Sequence, residues 1–283
     1  MNYQIAPVRG INTVAKPWEG NCQKKPWDYN VTAVIPTLDT PDILEITVEL
    51  LRLQSERPFI MIIDTGSTEE NYDRIQEMRA EDLEVHSIRM NGTQHPSDFP
   101  AIAMDMAFSL CRTNYLFATH ADCFLRRRDF IKDCLDKTQT IAPVVGYEMS
   151  PRAHSDWKGM ISHTASMYHM PTMDKIGFGW SLRRLANIYS IEDYSPNPMM
   201  PNWPDTEILG NYILRYYKVK THIIGTEQNF ARNLDENIDH CRSITSGRLY
   251  SPEYARKAQE WVDEAILEAR ERIAEWQANA DAA

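Results

Sequence analysis

Three segments of the chain contain side chains that can bind a metal ion or move a proton. In the first, His120 lies two residues before Asp122, and in the second, Asp64 ends an apolar run. In the third, Asp205 and Glu207 are separated by one residue. Carboxylates bind Mg²⁺ and Mn²⁺, imidazole binds transition metal ions, and a carboxylate can also act as a general base. The pattern indicates metal-assisted or acid–base chemistry, provided that the fold brings these segments together.

Short apolar runs alternate with helical patterns in the first half of the chain. The predicted strands cover residues 31–36, 59–63, 83–88 and 115–118, and the predicted helices cover residues 41–54, 69–80 and 100–111. Strands that are apolar on both faces and alternate with helices indicate a parallel sheet covered on each side. Ligands bind beyond the carboxyl ends of such strands. Asp64 and Asp122, each just after a predicted strand, should therefore face one crevice.

The second half of the chain is less regular. Its predicted strands cover residues 141–147, 163–170 and 219–224, and a helix is predicted for residues 205–217. Residues 1–30 are rich in proline and glycine and read as an irregular arm that wraps the domain.

The last element is a long amphipathic helix. Ser251 can cap it, and Pro252 suits its first position. Its apolar stripe consists of Tyr254, Ala258, Trp261, Val262, Ile266, Ala269, Ile273 and Trp276. Such a stripe is typical of core packing or of a docked arm, and a homo-oligomer formed through this helix is the alternative.

The composition is that of a globular protein. With 283 residues and 43% hydrophobic residues, the chain can bury a sizeable core. No apolar run reaches the roughly 20 residues that cross a membrane, and the polar start lacks signal-peptide features, so we expect no membrane span and a cytoplasmic location. Five scattered cysteines fit reduced thiols. The net charge of −10 argues against a nucleic-acid partner.

Four motifs, in order along the chain, resemble those of family 2 glycosyltransferases with a GT-A fold. They are Val-Ile-Pro-Thr-Leu-Asp (34–39), Ile-Ile-Asp-Thr-Gly-Ser-Thr (62–68), Pro-Ala-Ile-Ala-Met-Asp-Met-Ala (100–107) and Thr-His-Ala-Asp-Cys-Phe-Leu (119–125). In that family, the first strand ends in a Pro-Thr turn, the second in a nucleotide-binding Asp-Gly-Ser turn, and the fourth carries an Asp-x-Asp metal motif. The resemblance covers residues 31–130 well and the rest in outline.

The resemblance implies an α/β fold of the GT-A (Rossmann-like) type, with a mostly parallel sheet flanked by helices. The expected division is an N-terminal arm (1–30), a GT-A domain (31–250) and a C-terminal helix (251–283). Within the domain, residues 31–130 would bind the nucleotide sugar and residues 131–250 the acceptor. The implied activity is metal-dependent transfer of a sugar from a nucleotide-sugar donor, preferably a UDP-sugar, to a hydroxyl acceptor.

The resemblance also implies a site for Mn²⁺ or Mg²⁺. Asp122 matches the last residue of the family's metal motif, whereas His120 stands where its first Asp usually does. Since imidazole suits Mn²⁺ better than Mg²⁺, either the ion preference is shifted or His120 contacts the nucleotide instead. By resemblance, His240 is the candidate that closes the metal site, and His222 is a weaker competitor inside an apolar run.

Further residues are assigned to the nucleotide sugar by resemblance. Asp64 would accept hydrogen bonds from the base or ribose, and Arg242 could reach a phosphate oxygen. Asp98 either contacts the nucleoside or caps the helix that follows it. The remaining residues assigned to this pocket are Pro36, Thr37 and Asp39.

Catalytic and acceptor-binding roles fall in the second half. For an inverting transfer, Asp205 is the first choice as general base and Glu207 the second. In the competing interpretation, Asp205 caps the helix and Glu207 interacts with the helix dipole. Trp180 and Trp203 lie near glycine and proline residues and could stack on an acceptor sugar, although most tryptophans are core residues.

Other functions are compatible with parts of the pattern. A retaining GT-A glycosyltransferase would need no base at Asp205, and a GT-A-fold binding protein without catalysis would explain the histidine at position 120. A sugar nucleotidyltransferase is disfavoured because a glycine-rich phosphate loop is missing after the first strand. A hydrolase that uses His120, His154, His163 and His169 is disfavoured because these histidines are dispersed.

Overall fold

The structure is a computed structural model that describes residues 11–14, 28–90, 98–149, 158–181, 206–227, 232–241 and 252–281. The strands are β1 (Ile11–Val14), β2 (Val31–Thr37), β3 (Phe59–Asp64), β4 (Leu83–Met90), β5 (Tyr115–Ala118), β6 (Cys123–Leu125), β7 (Val144–Glu148), β8 (Ser166–His169), β9 (Thr221–Thr226), β10 (Asn233–Leu234) and β11 (Ile238–His240). The helices are α1 (Pro41–Arg52), α2 (Glu69–Glu77), α3 (Asp98–Leu110), α4 (Phe130–Thr140), α5 (Met170–Ile176), α6 (Ile208–Tyr216) and α7 (Pro252–Asp281).

Eight strands form the central sheet, in the order β1-β4-β3-β2-β5-β8-β7-β9. Six of them point the same way, and β1 and β8 run opposite to their neighbours. Strands from both halves of the expected domain share this sheet. The expected α/β fold with a mostly parallel, helix-flanked sheet is confirmed.

Helices cover both faces of the sheet because its inner strands are apolar on both sides. All six residues of β3 are buried, and the side chains of Ile60 and Ile62 pack on one face while those of Met61 and Ile63 pack on the other. The first face is covered by α1, α2 and α4, and the second by α3, α5 and α6. The alternation of side chains along a strand thus supplies two separate cores.

A small antiparallel sheet, β10-β11-β6, lies beside the central sheet, and α7 packs near it. Ile46 and Leu50 of α1 and Phe124 of β6 form one buried cluster with four residues of the predicted stripe of α7, which are Val262, Ala269, Ile273 and Trp276. This part of the stripe therefore packs inside the chain. A homo-oligomer formed through this helix, the alternative interpretation, stays a prediction.

Two sequence-based expectations need correction, and one feature was not predicted. Residues 11–14 of the N-terminal arm are not irregular, because they form β1 and pair antiparallel with β4. The strand expected over 163–170 is shorter, since α5 begins at Met170 with proline in its first turn. The small sheet was not predicted, because two- and three-residue strands leave no periodic pattern. Among the described helices, none has the length and apolar character needed to cross a bilayer.

Candidate metal centre and active site

The carboxyl ends of β2, β3 and β5 meet at one edge of the central sheet. Thr37 and Asp64 are register partners at the last positions of β2 and β3. Beyond β5, the Thr119 N–H donates to the Val34 carbonyl at 3.0 Å, so the loop that carries the metal motif follows the edge of β2. This edge is where ligands bind in open parallel sheets.

His120, Asp122 and His240 converge at this edge. One ligand atom from each lies within 4.8 Å of the others, and His240 Nε2 is 3.6 Å from Asp122 Oδ1. The rings of His120 and His240 are 4.9 Å apart. Asp122 and His240 are buried and His120 is half-buried, so water competes weakly for these groups. Asp122 and His240 are more than a hundred residues apart in sequence, and the small sheet brings them together in space.

The pairing of β11 with β6 is what places His240 beside Asp122. His240 lies opposite Cys123 in the antiparallel register, and the Cys241 N–H donates to the Asp122 carbonyl at 3.0 Å. Because side chains alternate along a strand, Asp239 points to the other face from His240. A slip of one residue would exchange these two side chains.

On the opposite face of β11, Asp239 forms a buried ion pair that supports this register. Both of its carboxylate oxygens accept hydrogen bonds from Arg232, at 2.7 and 2.5 Å. The same guanidinium contacts Glu264 of α7 at 3.1 Å and Glu268 at 3.6 Å. The hydrogen bonds that Arg232 donates to Asp239 raise the pKa of Arg232, which therefore stays charged. The helix α7 is thus linked to the strand that carries His240.

The loop between His120 and Asp122 is held from α1. The Thr47 hydroxyl donates to the Ala121 carbonyl at 2.6 Å, and both groups are buried. The Cys123 N–H donates to the His120 carbonyl at 3.2 Å and closes the turn. These two bonds fix the backbone on both sides of Ala121, which limits how far His120 and Asp122 can move apart.

A buried polar cluster lies next to His120. The ring of His163 is 4.1 Å from that of His120, and its Nδ1 hydrogen-bonds Glu207 Oε1. The Ser162 hydroxyl lies 2.8 Å from a carboxylate oxygen of Glu227 and 3.2 Å from one of Glu207. Burial acts to raise the pKa of the Glu207 carboxyl, but the charge and hydrogen bond of His163 outweigh it and lower this pKa to about 2. Glu207 is therefore ionised.

The donor set fits a divalent transition metal ion. Two ligands at about 2.1 Å from one octahedral ion lie about 3 Å apart at right angles and about 4.2 Å apart when opposite. The 3.6 Å between His240 Nε2 and Asp122 Oδ1 falls in this range. His240 Nδ1 is buried and has no hydrogen-bond partner within the described part of the chain. Burial raises the pKa of the nearby Cys123 and Cys241 thiols, so the donor atoms that this cluster offers to an ion are nitrogen and oxygen.

Asp39 and Asp64, both expected at the nucleotide, also hold two loops of the crevice together. Asp64 is fully buried, and one of its oxygens accepts a hydrogen bond from the Ser67 N–H at 3.1 Å. Asp39 Oδ1 accepts from the Thr68 N–H at 2.7 Å and from the Asn71 amide at 3.0 Å. The loop after β2 is thereby fixed to the start of α2. Contact with a nucleotide stays a prediction for both residues.

The structure describes three of the other residues that were expected to bind the nucleotide. Thr37 is buried at the end of β2, where its carbonyl accepts the Thr65 N–H at 2.9 Å, and Pro36 precedes it half-buried. Asp98 is the first residue of α3, two positions before the predicted start of this helix, and its contact with a nucleoside stays a prediction. The remaining expected site residues, which lie outside the described parts of the chain, are Arg242, Asp205 and Trp203.

The structure buries Trp180, which was expected to stack on an acceptor sugar. It is 1% exposed, and the rings of Phe108, Tyr168 and Phe178 surround it at centroid distances of 5.3 to 5.9 Å. Its ring faces are therefore not open to a ligand in this conformation. The indole N–H is buried without a hydrogen-bond partner in the described residues, so a role for Trp180 now depends on that donor.

Sequence reasoning missed several residues that shape the site. His163 was considered only among dispersed histidines, and Thr47, Glu227 and Arg232 were not singled out. The segment Ile238-Asp239-His240 carried one usable signal, since an apolar residue followed by two chemically different polar ones suggests a short strand with two distinct faces. The partners of these faces come from distant segments and leave no local pattern.

Comparisons with known proteins agree with this geometry at the level of family. Residues 32–179 match the model for glycosyl transferase family 2, which is more than half of the chain. No curated protein matches the chain.

Solved structures show weaker similarity. One of them is the mannosyltransferase PcManGT from Pyrobaculum calidifontis, solved with GDP-Man and Mn²⁺. It is 15% identical to this chain, with a TM-score of 0.49, and the alignment covers 92% of this chain and 79% of PcManGT. TarS from S. aureus is 14% identical to this chain, with a TM-score of 0.43, and the alignment covers 54% of this chain and 30% of TarS. The chain thus spans under a third of TarS, and similarity at this level adds nothing to the family match.

We expect Asp239→Asn to weaken Mn²⁺ binding by about 10- to 100-fold, because the buried ion pair that supports the His240 strand is lost. The measurement is a calorimetric titration of Mn²⁺ into the full chain. Glu264→Gln is the matched control, since Glu264 contacts the same guanidinium but is 66% exposed. Equal Mn²⁺ affinity in the two variants would show that Asp239 does not position His240.

Proposed function

The chain belongs to glycosyl transferase family 2, and on this basis we propose that it transfers a sugar from a nucleotide-sugar donor to a hydroxyl acceptor with the help of a divalent ion. The observation that carries the proposal is the convergence of His120, Asp122 and His240 at the carboxyl edge of the sheet. In the proposed reaction, a cation at this edge would offset the negative charge that develops on the departing diphosphate.

In the proposed site, Asp122, His120 and His240 hold Mn²⁺ or Mg²⁺. When bound, the ion neutralises the charge of the departing diphosphate without requiring a proton. Two nitrogen ligands and one carboxylate favour Mn²⁺, because Mg²⁺ prefers oxygen ligands. Position 120 has a histidine where the family usually has its first Asp. This site would therefore prefer a different ion from a site whose ligands are all carboxylates.

The donor would lie across the ends of β2, β3 and β5. Asp64 and Thr37 are adjacent at the floor of this region, and Asp39 holds its rim by binding the start of α2. We assign the nucleoside to this side, with Pro36 and Asp98 nearby and Arg242 on a phosphate. A UDP-sugar is the favoured donor. Asp64 itself is fully buried at this floor.

The proposed mechanism is inverting, with Asp205 as the base that takes the proton of the acceptor hydroxyl. Glu207, the second choice, is disfavoured for this role by the structure. Its carboxylate is buried and already hydrogen-bonded to His163 and Ser162, so it is oriented toward the protein. We assign Glu207 to hold His163 beside His120. Trp203, two residues before Asp205 in sequence, is then the aromatic residue proposed to contact the acceptor.

Loss of the ion ligand Asp122 tests the proposal most directly. A UDP-sugar and Mn²⁺ together at about 100 times the dissociation constant should raise the melting temperature by roughly 5 to 10 °C. We expect Asp122→Ala and the milder Asp122→Asn to remove this shift and the transfer activity. Asp136→Ala, which changes an exposed carboxylate on α4, should retain both. If the unmodified chain binds the donor and Mn²⁺ but transfers no sugar, it is a binding protein with this fold.

The role proposed for His120 leads to a separate prediction about which ion the site prefers. We expect His120→Asp to reduce the preference for Mn²⁺ over Mg²⁺ by roughly tenfold, since a carboxylate replaces an imidazole in the ligand set. The dissociation constants of both ions are measured by calorimetry on the two proteins. An unchanged ratio of the two constants would mean that His120 does not bind the ion and instead contacts the nucleotide.

Asp205→Asn tests the assignment of the base. We expect kcat to fall by about 10²- to 10⁴-fold while the affinity for the donor stays nearly constant, because only proton transfer is lost. Glu207→Gln is the comparison, and it should lower stability and Mn²⁺ affinity more than it lowers kcat. The anomeric configuration of the product, read by NMR, must be inverted relative to the donor; retention would remove the need for a base at Asp205.

A further inference from the structure

The end of α6 that lies away from the metal centre carries an exposed strip of aromatic and basic residues. Its members, here called the α6 strip, are Tyr212, Arg215, Tyr216, Tyr217, Lys218, Lys220 and Ile223. The three tyrosines are 55%, 79% and 54% exposed, and Ile223 is 40% exposed. Large side chains exposed together in this way mark interaction sites more often than isolated ones do.

The helix geometry puts the strip on one side of the molecule. Tyr212 and Tyr216 are four residues apart and Arg215 lies between them, so all three share one face of α6, while Leu214 on the opposite face packs in the core. In β9, Ile224 packs against the core on the α1 side of the sheet. Ile223 is the parallel register partner of Gly146, whose added Cβ would meet Ile161 of the core under α6, so Ile223 lies on the side that α6 covers; a register shift in β9 separates it from Ile224.

The charge of the strip is opposite to that of the whole protein. The net charge is −10, yet residues 208–226 contain three basic residues and no acidic one. Arg215 also donates to the Lys158 carbonyl at 2.7 Å, which brings the exposed Lys158 segment to the border of the strip. The nearby carboxylate of Glu148 accepts hydrogen bonds from the Gly159 N–H and the Thr226 hydroxyl. An anionic surface would therefore be repelled by most of the protein and attracted here.

The arrangement of the aromatic rings favours binding to a lipid surface over binding to a polymer whose bases or sugar rings stack one after another. The rings of Tyr216 and Tyr217 are 5.0 Å apart and nearly perpendicular, at 84°. They do not form the parallel platform on which successive bases or sugar rings stack. Tyrosine with an aromatic body and a polar tip, an exposed isoleucine and flanking lysines are the residues that suit the headgroup region of a bilayer.

We propose that the α6 strip docks the protein on the surface of a membrane that contains anionic lipids. The cations contact the lipid phosphates, and the tyrosines and Ile223 lie at headgroup depth. Tyr212 lies five residues after Glu207, or about 7.5 Å along the helix axis at 1.5 Å per residue, and the rest of the strip lies farther from the metal centre. On the proposed function, the acceptor hydroxyl then belongs to a molecule anchored in that bilayer; the docking itself does not depend on the transferase activity.

The test is sedimentation of the full chain with vesicles at low ionic strength. We expect binding to vesicles of phosphatidylcholine mixed with phosphatidylglycerol, little binding to phosphatidylcholine alone, and release by salt. Each cation near an anionic leaflet contributes about fivefold to binding, so Lys218→Gln/Lys220→Gln should weaken it by about 25-fold. Tyr212→Ser/Tyr216→Ser should also weaken binding.

Matched controls change the same residue types elsewhere. Lys132→Gln/Lys257→Gln removes two lysines from α4 and α7, and Leu267→Ser removes a side chain that is 65% exposed on α7. Both should bind vesicles as the unmodified chain does. Asp122→Ala should bind them too, so that a failure of the proposed transferase site leaves this result unchanged.

Three results would overturn the proposal. They are equal binding to both kinds of vesicle, equal binding by the strip and control lysine variants, and binding of soluble polyphosphate by the strip without any vesicle binding. The last would assign the strip to a soluble anionic polymer. Strip variants that lose vesicle binding but keep the donor- and Mn²⁺-dependent melting shift would support the docking role and leave the metal site unaffected.

Discussion

The pairing of β11 with β6 is the interaction on which the candidate active site depends. It sets His240 opposite Cys123 and so beside Asp122, and it sets Asp239 on the other face, where Arg232 binds it. A strand of three residues has few backbone hydrogen bonds with which to hold its register. The buried ion pair supplies a second constraint, since a slip of one residue would bury a histidine against the guanidinium and remove the carboxylate from it.

The helix α1 connects the catalytic edge with the rest of the fold. One side of α1 packs on the central sheet through Leu44 and Val48, and another packs with α7 and β6 through Leu50. Thr47, between these faces, holds the loop of the metal motif through the Ala121 carbonyl. The proposed metal ligands therefore lie where two sheets and two helices together fix the backbone, which suits a site that must keep its geometry while substrates bind and leave.

The helix α6 connects this site with the surface. At its start, Glu207 holds His163 beside His120, and at its end, tyrosines and lysines face solvent. Buried charge near the site is paired: Glu207 with His163, and Asp239 with Arg232. The exposed basic charge at the other end of α6 has no acidic residue beside it in sequence. The start of this short helix thus carries a buried carboxylate that is paired with a histidine, and its other end suits an anionic partner.

The sequence by itself determined the alternation of strands and helices, the burial of the inner strands and the position of Asp64 and Asp122 after strand ends, because hydrophobic periodicity and strand polarity are local properties. It also pointed to His240 through the family resemblance. Only the tertiary structure decided that β6 and β11 pair, that His163 and Glu207 form a buried ion pair beside His120, and that Trp180 lies in the core. The first two of these facts depend on contacts between residues 43 to 117 positions apart, whose free energy no local pattern encodes.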